Sequence, residues 1–155
     1  MTFRIEGLSP APFIDLYGLD DDELARRGAL RYLVDKQPGF PDRIELRDAA
    51  PGETVLLVNH VSQPAATPYR ASHAIFVREG ATKAFDEVGV VPEVFRPRLL
   101  SLRAFDAAGM MVDADVVEGA KVEGLILRLL EDARVDCVHA HYAKRGCFAA
   151  RISRL

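Results

Sequence analysis

The segment LLSLRAFDAAGMMVDADVV, residues 99–117, constrains the fold most, because two strand-like runs flank a turn sequence within it. Gly109 occupies the third loop position, where a three-residue hairpin loop favours glycine in the left-handed conformation. The resulting register places Arg103 opposite Asp113 and separates apolar from polar side chains almost completely. The segment therefore predicts an antiparallel hairpin with one apolar face.

The residues that follow, Gly119 to Ala133, carry apolar side chains at helical spacing. These side chains are Val122, Leu125, Ile126, Leu129 and Ala133. Their spacing of three and four residues predicts an amphipathic helix that packs on the apolar face of the sheet.

The rest of the chain consists of short apolar runs between turn signals rich in proline and glycine. The predicted strands are Phe3–Glu6, Ala29–Val34, Arg43–Leu46, Thr54–Val61 and Ser72–Gly80. Ser9 and the acidic run Asp20–Glu23 are typical of helix starts, so two short helices are expected near the N-terminus. Consecutive hairpins without regular strand–helix alternation indicate an α+β fold with a largely antiparallel sheet. The length of 155 residues predicts one domain, residues 1–155.

The C-terminal segment VDCVHAHYAKRGCFAARISRL, residues 135–155, contains two of the four histidines and both cysteines. Its four basic residues and one aspartate give it a charge of +3, so the remaining chain carries −6. We therefore expect an anionic partner to bind at this end of the chain.

This segment also has the pattern of a hairpin, with a three-residue loop that ends at Gly146. In that register Cys147 shares a face with His139 and His141, whereas Phe148 lies on the apolar face. A two-residue loop would mix apolar and polar side chains on both faces. The three-residue loop therefore predicts one core face and one face that carries chemical groups.

The two histidines project to the same side because strand side chains alternate with a period of two. His139 and His141 are candidates for acid–base catalysis, and Cys147 is a candidate nucleophile beside them. The same histidine pair would suit a metal-dependent enzyme, but a zinc site needs a third and usually a fourth ligand. Cys147 is one candidate, and Asp113 or Asp115 could join if the two hairpins are adjacent. The alternative is that both imidazoles make ordinary hydrogen bonds at a half-exposed surface.

Seven further residues are candidates for holding an anionic ligand. They are Arg145, Arg151, Arg70, His73, Arg78, Asn59 and His60. Each lies at a strand end, in a loop or beside an arginine, positions from which polar side chains bind carboxylate or phosphate. The structural alternatives are that Arg78 pairs with a carboxylate and that His60 caps a turn.

Composition argues against several classes of protein. No segment approaches eighteen consecutive apolar residues, so no membrane span is expected. The absence of a basic, apolar leader and the presence of only two cysteines indicate a cytoplasmic protein with free thiols. A formal charge of −3 and a single basic loop argue against nucleic-acid binding. No residue pattern identifies a cofactor or an oligomeric state.

Three segments resemble a known family: HAHYAKRGCFAARI, SHAIFVREG and LLSLRAFDAAGMMVDADVVEG. The family is the bacterial domain of unknown function 1203, and the resemblance extends over essentially the whole chain. It implies a one-domain bacterial protein without an assigned activity. Against the family pattern, Asp42 stands where cysteine is common, and Tyr142 stands where asparagine is common.

The leading functional hypothesis is a small-molecule enzyme with a His/Arg site for an anionic substrate, either a carboxylate or a phosphate. The alternative is a non-catalytic ligand-binding or protein-interaction domain that uses the same face. A metal-dependent enzyme that uses His139 and His141 is the third hypothesis.

Overall fold

Two antiparallel sheets and two α-helices make up the chain, and the computed structural model describes all residues from Met1 to Leu155. The strands are β1 (Phe3–Glu6), β2 (Leu30–Leu33), β3 (Thr54–Gln63), β4 (Ala71–Arg78), β5 (Asp86–Val88), β6 (Leu99–Phe105), β7 (Met111–Glu118), β8 (Cys137–Tyr142) and β9 (Cys147–Arg154). The helices are α1 (Asp21–Arg26) and α2 (Val122–Glu131), with short 3-10 helices at Ile14–Leu16, Glu93–Phe95 and Gly119–Lys121. The predicted α+β class with antiparallel pairing is confirmed.

Six strands form the main sheet, in the order β5-β1-β9-β8-β6-β7. Helix α2 covers one of its faces, and Val122, Ile126 and Leu129 are buried there in the largest apolar cluster. The predicted helix is confirmed, although its first turn is a 3-10 helix. A Cβ atom on Gly119 would lie 1.7 Å from the carbonyl oxygen of Phe95, so the chain can turn from β7 into the helix only with glycine here.

Three strands form the second sheet, in the order β2-β3-β4. Its buried side chains Leu56, Val58, Ile75 and Val77 belong to a separate apolar cluster. The directly paired His60 and His73 bring one end of this sheet against the main sheet, on the face that α2 does not cover. Strand β8 is therefore enclosed on both sides, and all six of its residues are buried.

The strand predicted at Arg43–Leu46 does not form. This segment has irregular backbone inside an isolated bridge between Pro41 and Asp48, and Leu46 has a φ of 51°. The buried carboxylate of Asp42 explains the difference, because it accepts the backbone N–H groups of residues 45 and 78. Side-chain acceptors here replace the bonds that a strand ladder would supply.

The β6–β7 hairpin has the predicted turn but not the predicted register. Gly109 has a φ of 81°, as the loop requires. An irregularity beside Phe105 then shifts the pairing by one residue, so Arg103 faces Ala114 and not Asp113. Asp113 instead bonds to Arg128 of α2, on the opposite face of the sheet.

Candidate functional site

The β8–β9 hairpin carries the site, and its register differs from the predicted one near the turn. Tyr142 faces Cys147 and His141 faces Phe148, with a shift in the pairing between Ala140 and His141. The shift leaves one extra residue in β9. Beyond it, away from the turn, the pairing is the predicted one, and His139 faces Arg151. The turn therefore spans four residues, and Gly146 keeps the predicted positive φ, at 72°.

This shift exchanges Cys147 and Phe148 between the two faces. Phe148 lies among the histidines, with its ring centroid 5.4 Å from that of His139 and 5.8 Å from that of His141. Cys147 packs against the apolar core and accepts a hydrogen bond of 3.0 Å from Arg43 Nη2. The predicted grouping of Cys147 with the two histidines is therefore wrong.

All four histidines nevertheless meet between the two sheets. The ring centroids of His73 and His141 are 5.0 Å apart, and those of His139 and His141 are 6.5 Å apart. His60 contacts the ring of Phe148, with ring centroids 5.6 Å apart, and Phe148 lies beside His139 and His141. We call the surface of the main sheet that carries His139 and His141 the histidine face. The sequence predicted the pair on β8, whereas the meeting with β3 and β4 depends on tertiary packing.

His141 is held in one defined tautomer. Its side chain is only 2% exposed, and its Nδ1 lies 3.0 Å from the carbonyl oxygen of Gly146. A carbonyl can only accept, so Nδ1 carries the proton and donates it, while Nε2 remains unprotonated. Burial, with smaller contributions from Arg103, His73 and His139, lowers the pKa of His141 to about 3.

His139 has an unused hydrogen-bonding atom. Its ring packs on Phe105, with centroids 4.8 Å apart, and its Nδ1 is buried without a hydrogen-bond partner. Burial lowers its pKa to about 4, and the charges of Arg151 and Arg103 act in the same direction. Buried polar atoms are nearly always paired, so this nitrogen is an exception within the protein.

Arg103 is a site residue that the sequence did not single out. It lies directly across from His139 on β6 and is partly buried, yet it makes no hydrogen bond or ion pair within the protein. Burial lowers its pKa, and no carboxylate is close enough to oppose that effect. The sequence predicted that Arg103 pairs with Asp113, so it was not considered as a site residue. Its position as an arginine within the apolar run LLSLRAF could have indicated such a role.

The histidine face therefore has a row of three aligned side chains across neighbouring strands. Arg103 on β6, His139 on β8 and Arg151 on β9 face one another in register. Arg151 differs from Arg103 because it bonds to Glu6 at 3.2 Å and lies 3.7 Å from Asp136. The two arginines make the row positively charged. Carboxylates partly neutralise the charge of Arg151, whereas none neutralises that of Arg103.

An open cleft of about 440 Å³ reaches this row from the end of the sheet. His139, Arg151 and Cys137 line it together with residues of the β3–β4 and β6–β7 loops, whereas Arg103 does not line it. Both cysteines are free, and burial raises the pKa of the Cys137 thiol. Cys137 is therefore a poor nucleophile at neutral pH, although it lines the cleft.

The other predicted ligand-binding residues lie outside this cleft. Arg78 bonds to Glu45 in an ion-pair network, and Asn59 is exposed on the face of β3 opposite to His60. Arg145 is exposed in the hairpin turn, and the exposed Arg70 donates to the carbonyl oxygen of Pro64. His73 does belong to the histidine group, and its Nδ1 lies 3.3 Å from Ser62 Oγ.

No group of three or more His, Cys, Asp or Glu side chains is arranged to hold a metal ion. No helix is long and apolar enough to cross a membrane. The metal-dependent hypothesis therefore lacks a set of ligands.

The fold and the site define an α+β protein whose histidines are gathered between two antiparallel sheets. Residues 39–154 match the family described as "Protein of unknown function (DUF1203)", so the chain belongs to this family, as its three motifs indicated. No curated protein and no solved structure matches the chain.

Proposed function

We propose that the protein binds a small anionic molecule on the histidine face, with Arg103 and Arg151 on either side of His139. The observation that carries this proposal is the partly buried, unpaired guanidinium of Arg103. A buried cation without a counter-ion is unfavourable, and an incoming carboxylate or phosphate would relieve that cost through charge-assisted hydrogen bonds. The neighbouring histidines supply no competing negative charge.

His139 would contribute a hydrogen bond and not a charge. With a pKa of about 4 it is neutral at physiological pH, and its unpaired Nδ1 can donate or accept according to the tautomer. The cleft gives a small molecule access to this side chain. These features support binding more directly than they support catalysis.

An acid–base enzyme that uses the same cleft is the second candidate. The observation that favours it is the same unpaired Nδ1, because an anion bound beside His139 would raise the pKa of His139 towards neutrality. Cys147 has no part in this candidate, since it lies on the other face of the hairpin.

The two free cysteines support a reducing compartment, and we extend the proposal to the cytoplasm of a bacterium. Fractionation of a bacterial cell that expresses the protein tests the location. Recovery in the periplasmic fraction would contradict it.

The binding proposal is tested by thermal unfolding with phosphate, acetate and citrate, each compared with chloride at equal ionic strength. A ligand at about a hundredfold its Kd should stabilise the protein by about 2.7 kcal/mol. We expect Arg103→Gln to lose this stabilisation and the exposed Arg145→Gln to retain it. Equal stabilisation of both variants would overturn the role of Arg103, and no anion-specific stabilisation of the unmodified protein would overturn the proposal.

A further inference from the structure

A serine and a histidine form a hydrogen-bonded pair at one end of the second sheet. Ser62 Oγ on β3 lies 3.3 Å from Nδ1 of His73 on β4, and its other acceptor, the carbonyl oxygen of Ala71, lies at 3.4 Å. The pairing of the two strands shifts between Val61 and Gln63, so Ser62 is the extra residue of a bulge. Bulges redirect side chains and are frequent next to active sites.

The serine of this pair is reachable from outside the protein. Ser62 is half-buried and lines the open cleft of about 440 Å³ that also reaches His139. His73 does not line the cleft. A small molecule in the cleft would therefore contact the serine, and His73 would act on that molecule through Ser62.

The histidine of the pair is suited to accept a proton from the serine. Burial lowers the pKa of His73, and the charges of Arg103 and Arg43 act in the same direction, so the imidazole is neutral at pH 7. In the tautomer with its proton on Nε2, the Nδ1 atom is the acceptor that a nucleophilic hydroxyl requires. The ring packs against that of His141 in an edge-to-face arrangement, with centroids 5.0 Å apart.

The neighbouring Gln63 independently indicates a bound molecule in this cleft. Its side chain is only 6% exposed and lines the cleft. Its Oε1 accepts the backbone N–H of Ala65 at 3.2 Å, so the other amide atom is the nitrogen, which makes no hydrogen bond within the protein. Unlike Nδ1 of His139, this nitrogen is not sealed from solvent. It is therefore a free donor that an oxygen atom of a ligand can reach.

We propose that Ser62 is a nucleophile for acyl transfer, with His73 as its general base and a small ester as the class of substrate. This activity goes beyond the proposed anion site, because neither Arg103 nor His139 takes part in it.

The reaction proceeds in two balanced halves. Ser62 Oγ forms a bond to the carbonyl carbon of the ester while its proton passes to Nδ1 of His73, and the free N–H of Gln63 donates to the carbonyl oxygen as that atom becomes negative. The bond to the alcohol oxygen then breaks, and this oxygen takes the proton from His73. Water attacks the acyl-serine in the same way and releases a carboxylate.

The first experiment is covalent labelling with a fluorophosphonate, a probe whose phosphorus bonds to an activated serine and releases fluoride. Mass spectrometry locates the label. We expect it on Ser62 and not on the exposed Ser72 of the neighbouring strand. His73→Gln should slow the labelling about a hundredfold, the usual contribution of a general base. An unlabelled Ser62, or an unchanged rate in His73→Gln, would overturn the proposal.

The pH dependence of labelling distinguishes a base from a residue that only supports the fold. The rate should be constant above about pH 6.5 and fall at lower pH, because a protonated His73 accepts no proton. His73→Gln should lack this profile. A rate in the unmodified protein that rises steadily up to high pH would indicate attack without a base and would contradict the assignment.

The second experiment measures hydrolysis of p-nitrophenyl acetate by the unmodified protein and by two serine variants. Ser62→Ala should lose the protein-dependent hydrolysis, whereas the control Ser72→Ala should retain it. Thermal unfolding verifies that both variants are folded. Equal hydrolysis by Ser62→Ala and the unmodified protein would show that other surface groups react with the ester, and the nucleophile would be wrongly assigned.

Discussion

Tyr142 lies directly opposite Cys147 in the β8–β9 hairpin, and both side chains contact the same buried guanidinium. Arg43 Nη2 donates to Cys147 Sγ at 3.0 Å, and the guanidinium carbon lies 4.9 Å from the centroid of the Tyr142 ring. The same side chain donates to the carbonyl oxygens of Phe148 and Pro41. The hydrogen bonds of Arg43 therefore connect the irregular segment after β2 to the hairpin that carries His139 and His141.

Replacement of Arg43 by methionine should destabilise the protein by about 2–4 kcal/mol. The substitution removes the donor from the carbonyl oxygen of Phe148, in a buried hydrogen bond, and from that of Pro41, in a partly buried one. Leaving a buried acceptor unpaired costs about 1–3 kcal/mol. Urea unfolding measures the change, with the exposed Arg145→Met as a control that should stay within about 0.5 kcal/mol. A loss below about 1 kcal/mol would show that water replaces the guanidinium at this position.

Two tyrosine hydroxyl groups provide a matched test of buried hydrogen bonding. Tyr142 Oη is buried without a partner, whereas Tyr17 Oη donates to the carbonyl oxygen of Ala81 at 2.9 Å. We expect Tyr142→Phe to be neutral or to stabilise the protein by up to about 1 kcal/mol, and Tyr17→Phe to cost about 1 kcal/mol. Chemical unfolding of both variants checks the order, and a larger loss in Tyr142→Phe would reveal a partner of its hydroxyl, such as an ordered water.

Sequence reasoning predicted the elements that depend on local chemistry. The alternation of side chains located β6 to β9, and Gly109 and Gly146 have the positive φ that their turns require. What it missed in both hairpins was one extra residue in one strand. Such a bulge changes the face of only a few side chains, so a pattern of apolar and polar residues cannot reveal it.

The same bulge explains why the candidate site was predicted only in part. His139 was expected opposite Arg151 and lies there, because the shift is corrected before that pair. Cys147 was misplaced because it lies between the turn and the shift. The convergence of His60 and His73 on β8 depends on the packing of two separate sheets, which periodicity within a strand does not specify.

Substitution of Gly146 by valine should cost about 1–2 kcal/mol through backbone strain alone. Its φ is 72°, and a Cβ atom there would meet nothing within 4 Å. Gly124 in α2 is the control, because its Cβ position is equally open but its backbone is helical, so Gly124→Ala should stabilise by about 0.5–1 kcal/mol. Thermal unfolding compares the two, and an unchanged midpoint for Gly146→Val would contradict the strained turn.

The buried histidines should make the stability of the protein depend on pH. Folding lowers the pKa of His139 to about 4 and that of His141 to about 3, whereas both titrate near 6.5 when unfolded. Between these pKa values the unfolded chain binds more protons than the folded one. The free energy of unfolding is therefore highest above about pH 6.5 and falls as the pH decreases. The loss approaches about 1.4 kcal/mol per pH unit for each histidine.

The measurement is the free energy of unfolding in urea at several pH values between about 5 and 7, the range around the ordinary pKa of histidine. The variant His139→Gln should show a shallower slope than the unmodified protein, because it has one fewer group that takes up a proton on unfolding. Phosphate should also reduce the slope of the unmodified protein, since an anion beside Arg103 raises the pKa of the folded-state histidines. A free energy of unfolding that stays constant across this range would mean that water reaches both imidazoles and that they titrate normally.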